Sequence, residues 1–323
     1  MTQQLTVVVH GASQVTDVPH LDELADRVTL KFAPDGDALA KHLPGADVLL
    51  GWNFSARDLQ DAWSQVDQLR WIHWCGAGVD AAMFPELVSS NVTLTNARGI
   101  FDRAMAEYAL GAILSFAKLM PDSLRLQIKH EWSYRMGEMI EGKRALVVGV
   151  GSIGRAIGRL LSAVGMDVVG VGRTARAGGD AFTRIVGIDQ LDAELAGADY
   201  VVLITPLTEQ TRGLFSGERF ARMRASARFV NLGRGALVDE RAMIDALNRG
   251  VIASAALDVF EVEPLPADSP LWDMPNVIVS PHNSGDYIGF HAVMARAFLQ
   301  NFERFVSGEE LVNVVNKSVG FVP

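Results

Sequence analysis

At 323 residues the chain exceeds what one hydrophobic core usually serves, so two domains are expected. Hydrophobic residues make up 49% and charged residues 21%, a globular balance that excludes extensive disorder. The net charge of −9 argues against a nucleic-acid or anionic-membrane partner and leaves small-molecule chemistry open.

Short β-branched runs alternate with longer amphipathic segments, the pattern of parallel sheets covered by helices. Strands are expected at Leu5–Val9, Val48–Gly51 and Leu69–Trp74, with helices near His20–Arg27, Asp35–His42 and Ser55–Gln65. The N-terminal MTQQLTVVVHGA has no basic stretch followed by a long apolar core, so no signal peptide is expected. The single cysteine, Cys75, rules out an intramolecular disulfide and suits a reducing compartment, making the cytoplasm the expected location.

A long helix from Phe101 to Met120 opens a second set of elements. Its apolar part, from Ala109, is interrupted by Ser115 and Lys118 and is too short to span ~30 Å of hydrocarbon. Continuous apolar runs mark buried strands at Arg144–Gly149, Asp167–Val171, Tyr200–Ile204, Phe229–Leu232, Ala253–Leu257 and Val277–Ser280. A helix at Ile153–Val164 follows the first of them, and a last helix at Tyr287–Ser307 returns the chain to the first domain. The expected architecture is α/β, with two doubly wound parallel-sheet domains. One is discontinuous, 1–100 plus 284–323, and the other spans 101–283. The crossings near Asn96–Phe101 and Ser280–Asp286 are candidate hinges.

Ala145-Leu-Val-Val-Gly-Val-Gly-Ser-Ile-Gly154 runs from a strand into a helix through G-x-G-x-x-G. Gly149 permits the tight turn, Gly151 admits a pyrophosphate close to the backbone, and Gly154 allows helix–strand contact. The helix start, with Ser152 and Ile153, offers amides and a positive dipole end to phosphate. The next strand ends Val169-Gly-Val-Gly-Arg-Thr-Ala-Arg176. An NAD site usually carries an acid there, on the ribose hydroxyls. Here Gly172 takes that place, followed by Arg173, Thr174 and Arg176, whose charges suit a 2′-phosphate. NADP(H) is the expected preference, with NAD(H) possible.

Three further segments place polar residues just past buried strands: Asn231-Leu-Gly-Arg-Gly235, Asp258-Val-Phe-Glu-Val-Glu-Pro264 and Ser280-Pro-His282. The carboxyl-end edge of an open parallel sheet is where ligands sit. A guanidinium, a carboxylate and an imidazole converging there suit carbonyl reduction. Upstream, His73-Trp-Cys-Gly-Ala-Gly-Val-Asp80 follows a strand with glycines that expose amides, a concave nest for a carboxylate. Trp52 and Phe54, after another strand, are candidate pocket walls.

These segments, together with Thr205-Pro-Leu-Thr208 and Thr211-Arg-Gly-Leu-Phe215, resemble the D-isomer-specific 2-hydroxyacid dehydrogenase family over nearly the whole chain. Met105-Ala-Glu-Tyr108 and the Gly-Arg-Thr strand end look like its glyoxylate/hydroxypyruvate reductase branch. The resemblance implies a Rossmann cofactor domain, a flavodoxin-like substrate domain, a small 2-oxoacid substrate and a homodimer; no metal is implied. Arg234 would hold the substrate, His282 would be the acid/base, and Glu263, before proline and therefore preferred to Glu261, would orient the imidazole. Ala77 and Gly78 would donate to the substrate carboxylate. Thr205, Pro206 and Leu232 would line the cofactor, and Asp258 would meet the nicotinamide carboxamide. Asn283-Ser-Gly-Asp-Tyr287 departs from the family's Gly- or Ala-rich continuation, which leaves the substrate side chain undetermined. The competing expectation is a dinucleotide-sensing, corepressor-like interaction protein, which no tail or docking segment supports.

Overall fold

The computed structural model describes residues 4–322. The chain divides into two compact units, Met1–Ile100 with Tyr287–Pro323, and Phe101–Asp286.

The first unit holds β1 (Thr6–His10), β2 (Thr29–Ala33), β3 (Val48–Gly51), β4 (Trp71–Trp74) and β5 (Thr93–Asn96), all parallel in the order β2-β1-β3-β4-β5. That order is the flavodoxin-like one. Every residue of β3 and β4 is buried, because both faces of the sheet are covered. On one face Val8, Leu49, Ile72 and Leu94 pack with Leu39 and Leu59. On the other Trp71 stacks on Phe298 at 5.4 Å, so the helix Phe290–Ser307 covers this sheet as expected. Burying a side chain such as Phe298 contributes about 1.5–3 kcal/mol.

Two features of this unit were not legible. β2 and β5 read TLKFA and TLTN, whose polar residues hide the strand pattern. The expected helix at His20–Arg27 is only the 3₁₀ turn Leu21–Leu24. Its two buried leucines lie three apart, which one 3₁₀ turn already satisfies.

The second unit holds β6 (Arg144–Val148), β7 (Asp167–Gly172), β8 (Arg176–Ala177), β9 (Arg184–Gly187), β10 (Tyr200–Leu203), β11 (Arg228–Asn231), β12 (Ser254–Leu257) and β13 (Val277–Val279). The sheet order is β13-β12-β11-β10-β6-β7-β9-β8, parallel except for the edge pair β8–β9. Counted from β6, its centre has the Rossmann order, with the topological switch between β6 and β10. One apolar cluster covers each face, around Leu146 and Phe229 on one side and Val147 and Val230 on the other.

The long helix expected from Phe101 to Met120 is Asp102–Ala117, followed by a second helix, Met120–Ile128, that the sequence reading missed. Leu119 turns the chain at φ 55°, and Pro121, which has no N–H to give a helix interior, starts the new one. The return crossing falls at Asp286/Tyr287 rather than 283/284. Asp258 binds the amides of Asn283 and Ser284, and the Asp286 amide donates to the Asn283 carbonyl, which ties those residues to the second unit. Among the described residues no helix is long and apolar enough to cross a membrane.

Candidate active site

Because all strands of the second unit but β8 are parallel, the loops at their carboxyl ends emerge on one edge of the sheet. The first such loop leaves β6. Gly149 adopts φ +116°, and a Cβ there would lie 2.7 Å from the Ile204 backbone. A Cβ on Gly154 would lie 1.9 Å from the Gly149 carbonyl oxygen. Neither position admits a side chain. At Gly151 an added Cβ meets nothing within 4 Å, so open space lies beside the start of the helix Ser152–Ala163. No side chain caps that helix, and the first-turn N–H groups of Ser152, Ile153 and Gly154 have no intrahelical acceptor. A bare backbone cradle with unsatisfied donors fits a dinucleotide pyrophosphate.

The end of β7 carries no acid. A Cβ on Gly172 would meet Val150 Cγ2 at 2.8 Å and Ile185 Cγ2 at 3.4 Å, so a side chain there requires Val150 to shift. Arg173 and Thr174 follow at that edge, exposed, while Arg176 lies in β8, paired with Ile185 of β9. Of the other expected cofactor contacts, Thr205 follows β10 beside Gly149, and the Pro206 carbonyl accepts the Thr211 hydroxyl at 2.7 Å. Leu232 is buried, its amide on the Leu203 carbonyl.

After β11 the Asn231 side chain shapes the turn, accepting from the Gly233 amide at 3.1 Å and donating to the Arg234 carbonyl at 3.1 Å. Arg234 is half-buried and gives Nη1 to the Gly233 carbonyl at 2.8 Å. Gly235 lies so close to the loop after β12 that its Cβ would stand 1.9 Å from the Phe260 carbonyl carbon. That contact sets the Arg234 turn against the segment carrying Glu263. The Phe260 amide donates to Glu263 Oε1 at 2.9 Å, and Glu263 Oε2 lies 2.7 Å from His282 Nδ1. Glu261 is elsewhere, its amide on Glu240 and its side chain exposed, so Glu263 is the imidazole's partner.

Burial alone raises the Glu263 carboxyl. The hydrogen bonds from His282 and the Phe260 amide, with the charges of His282 and Arg234, outweigh it and hold the group below its usual range. Glu263 is therefore an anion and only an acceptor, which places a proton on Nδ1 of His282 and leaves Nε2 for other partners. About a third of each side chain, 33% of His282 and 34% of Glu263, remains open to solvent, so a small molecule can reach the pair.

His282 stands at φ +52°, a left-handed conformation that costs a non-glycine residue about 1 kcal/mol or more. Asp258, only 1% exposed, holds the loop in this shape. Its Oδ1 accepts from the Ser280 hydroxyl at 2.6 Å and the Asn283 amide at 2.9 Å, and its Oδ2 from the Ser284 amide at 2.9 Å. Its own carbonyl accepts from the His282 amide at 2.9 Å. Since Ser280 gives its one proton to Asp258, the Tyr108 hydroxyl is the donor in its short hydrogen bond to Ser280. Burial, with the nearby Asp258 charge, raises the Tyr108 pKa and keeps that phenol protonated. Tyr108, Ser280 and the Phe260 amide are supports to which sequence reasoning assigns no role, although all three sit in motifs singled out there.

Trp52, Ala77 and Gly78 lie in the first unit, past the carboxyl ends of β3 and β4. Trp52 is half-buried, its ring 5.6 Å from that of His291. The Ala77 carbonyl accepts from Asn96 Nδ2 at 2.6 Å. Cys75 is fully buried and burial pushes its thiol pKa up, so it packs rather than reacts. Charge-assisted hydrogen bonds to a buried carboxylate are worth about 1.5–3 kcal/mol each. Asp258→Asn turns one acceptor oxygen into a donor facing backbone N–H. It is expected to lower unfolding free energy by about 1–3 kcal/mol in chemical denaturation at neutral pH; an unchanged midpoint would show that the loop does not hang on Asp258.

With this geometry established, comparison with known proteins is specific. Residues 110–284 match the family model for D-isomer specific 2-hydroxyacid dehydrogenase, NAD binding domain. The chain is 33% identical to glyoxylate/hydroxypyruvate reductase B of Escherichia fergusonii, over 87% of this chain and 87% of that one. A solved NADPH-dependent glyoxylate/hydroxypyruvate reductase from Sinorhizobium meliloti, in complex with NADP and sulfate, superposes with a TM-score of 0.85 at 29% identity, covering 98% of this chain and all of that one. A D-isomer specific 2-hydroxyacid dehydrogenase from Xanthobacter autotrophicus, in complex with NADPH and MES, gives 0.83 at 32% identity over 99% of this chain and 100% of that one.

Proposed function

Because the chain belongs to the D-isomer specific 2-hydroxyacid dehydrogenase family, whose members reduce 2-oxoacids, we propose that it uses NADPH to reduce a glyoxylate- or hydroxypyruvate-type 2-oxoacid, or a bulkier one, to the D-2-hydroxyacid. The observation that carries this reading is the 2.7 Å contact between His282 Nδ1 and Glu263, with Arg234 close enough for its charge to bear on the same carboxylate. The names of the E. fergusonii and S. meliloti relatives support the substrate class, and the NADPH and NADP in two related structures support the cofactor.

The bound dinucleotide would supply a hydride to the second carbon of the oxoacid. Arg234 holds the substrate's carboxylate and carbonyl oxygen through its planar fork. His282 delivers the proton on Nε2 to that oxygen as charge develops on it, and Glu263 steadies the imidazolium through Nδ1. In the oxidative direction the same imidazole accepts the proton. The amides of Ala77 and Gly78 and the ring of Trp52 are proposed substrate contacts within the first unit. Gly149, Gly151, Ser152, Ile153 and Gly154 hold the pyrophosphate. Arg173, Thr174 and Arg176 take the 2′-phosphate, and NADH is accepted less well. Thr205, Pro206 and Leu232 flank the nicotinamide half. Asp258 has most of its carboxylate committed to the loop, so a carboxamide contact falls to what remains on Oδ2.

A second copy of the chain is the proposed partner. Ile128, Trp132, Tyr134, Met136 and Met139 lie exposed along one segment of the second unit, with Trp132 fully open. An apolar run of that size suits burial against an identical run about a two-fold axis. Tyr134→Asp with Met136→Asp is expected to shift the mass in light scattering from dimer to monomer.

Oxidation of NADPH on adding glyoxylate or hydroxypyruvate tests the activity. His282→Ala should lower kcat by about 10²–10⁴-fold while NADPH still binds; retained turnover would remove His282 as the acid/base. Arg173→Asp should raise the KM for NADPH about tenfold or more and leave that for NADH within about threefold, as loss of a phosphate clamp requires. Equal changes for both cofactors would contradict the assignment.

A further inference from the structure

A polar feature outside this chemistry lies wholly in the first unit. A cavity of about 630 Å³ opens between the end of β5, the helix Phe290–Ser307 and the segment after it. That volume falls within the range of small-molecule sites. Its lining includes His73, Asn96, Arg98, Arg296, Gln300 and Arg304, with the carboxylates of Glu303 and Glu309.

His73 is the informative member. It is 1% exposed, packs against Phe298 with ring centres 5.7 Å apart, and has no hydrogen-bond partner at Nε2. Its other ring nitrogen is engaged by Thr95. The Thr95 hydroxyl accepts from Trp71 Nε1 at 2.9 Å, and its single proton has two possible acceptors, His73 Nδ1 at 2.9 Å and the Ile72 carbonyl at 3.4 Å. Nδ1 thus shares the Thr95 hydroxyl, and Nε2 is the ring nitrogen left without a partner. Burial pushes the His73 pKa down to about 3, so the ring is neutral. A buried polar nitrogen therefore stands unpartnered in a residue that lines a cavity, an arrangement folded proteins seldom leave unfilled.

The rest of the lining also has donors to spare. Arg27 grips Glu303 with two nitrogens. Arg296 engages Glu23 and His20, and Arg304 reaches Glu309 and the Glu310 carbonyl through Nη1 alone. Each guanidinium carries five N–H groups, so Arg296 keeps N–H donors beyond these bonds, and Arg304 keeps Nε and Nη2. Both Glu303 oxygens are already taken by Arg27, whereas N–H capacity is left over on Arg296 and Arg304.

We propose that this cavity is a ligand site for a small anion, a carboxylate or a phosphate, which engages Nε2 of His73 in its wall and the guanidinium groups of Arg296 and Arg304 nearer solvent. It is separate from the phosphate cradle at Gly151 and does not depend on the proposed reductase chemistry. Asn96, part of the same wall, also holds the Ala77 carbonyl, so the site adjoins the glycine loop after β4.

The test is ¹⁵N NMR of the full-length, histidine-labelled protein, titrated at constant ionic strength with inorganic phosphate and, separately, with malonate. The His73 resonance is assigned by its loss in His73→Phe or, should that variant not fold, by its shift in Thr95→Val. At least one anion should move the Nε2 signal saturably, and Arg304→Gln should weaken that response about tenfold, as loss of one charge-assisted hydrogen bond requires. A response to phosphate alone identifies a phosphorylated ligand, and one to malonate alone a carboxylate. A His73 signal unmoved by both anions, or a response unchanged in Arg304→Gln, overturns the site; shifts confined to other histidines count as binding elsewhere.

Discussion

The hydrogen bond between Glu263 and His282 joins two loops that the sequence separates by nineteen residues, and the chemistry of the site depends on it. A carboxylate 2.7 Å from Nδ1 decides which ring nitrogen carries a fixed proton and which is left for a substrate. Both partners are themselves held. The Phe260 amide fixes the other Glu263 oxygen, and the left-handed backbone at His282 is kept in place by Asp258. One to a few kcal/mol of backbone strain is thus offset by several hydrogen bonds to a buried anion, and these aim the imidazole.

Glycines do the complementary work. Gly235 brings the Arg234 turn into contact with the Phe260 backbone, and Gly154 brings the first helix against the Gly149 carbonyl. Gly172, packed beside Val150 and Ile185, stands where an acidic residue would repel a phosphate on the ribose. At Gly235 and Gly154 the missing side chain is a steric requirement of two backbone segments. The same parallel sheet that makes the strands uniformly apolar gathers these loops on one edge.

Much of this was readable beforehand because the signals are local. Strand–turn–helix at Gly149 to Gly154, apolar runs at β3, β6 and β10, and the Ser-Pro-His and Glu-Pro motifs each carry their meaning within a few residues. What could not be read is long-range or masked by polar sequence. β5 reads TLTN, and nothing in those letters places Thr95 between Trp71 and His73. The commitment of Asp258 to Ser280, Asn283 and Ser284 spans more than twenty residues, so resemblance suggested a cofactor contact where the structure displays a loop anchor. Choosing Glu263 over Glu261 rested on a neighbouring proline, whereas the geometry rests on distance.

The proposed reduction requires Arg234 and His282 to act on one oxygen atom. A crystal structure of the protein with NADPH and oxamate measures this directly. His282 Nε2 and an Arg234 nitrogen are both expected within about 2.6–3.2 Å of the oxamate carbonyl oxygen, with Glu263 still on Nδ1. Oxamate bound away from that pair, or an imidazole turned so that Nε2 faces elsewhere, would contradict it.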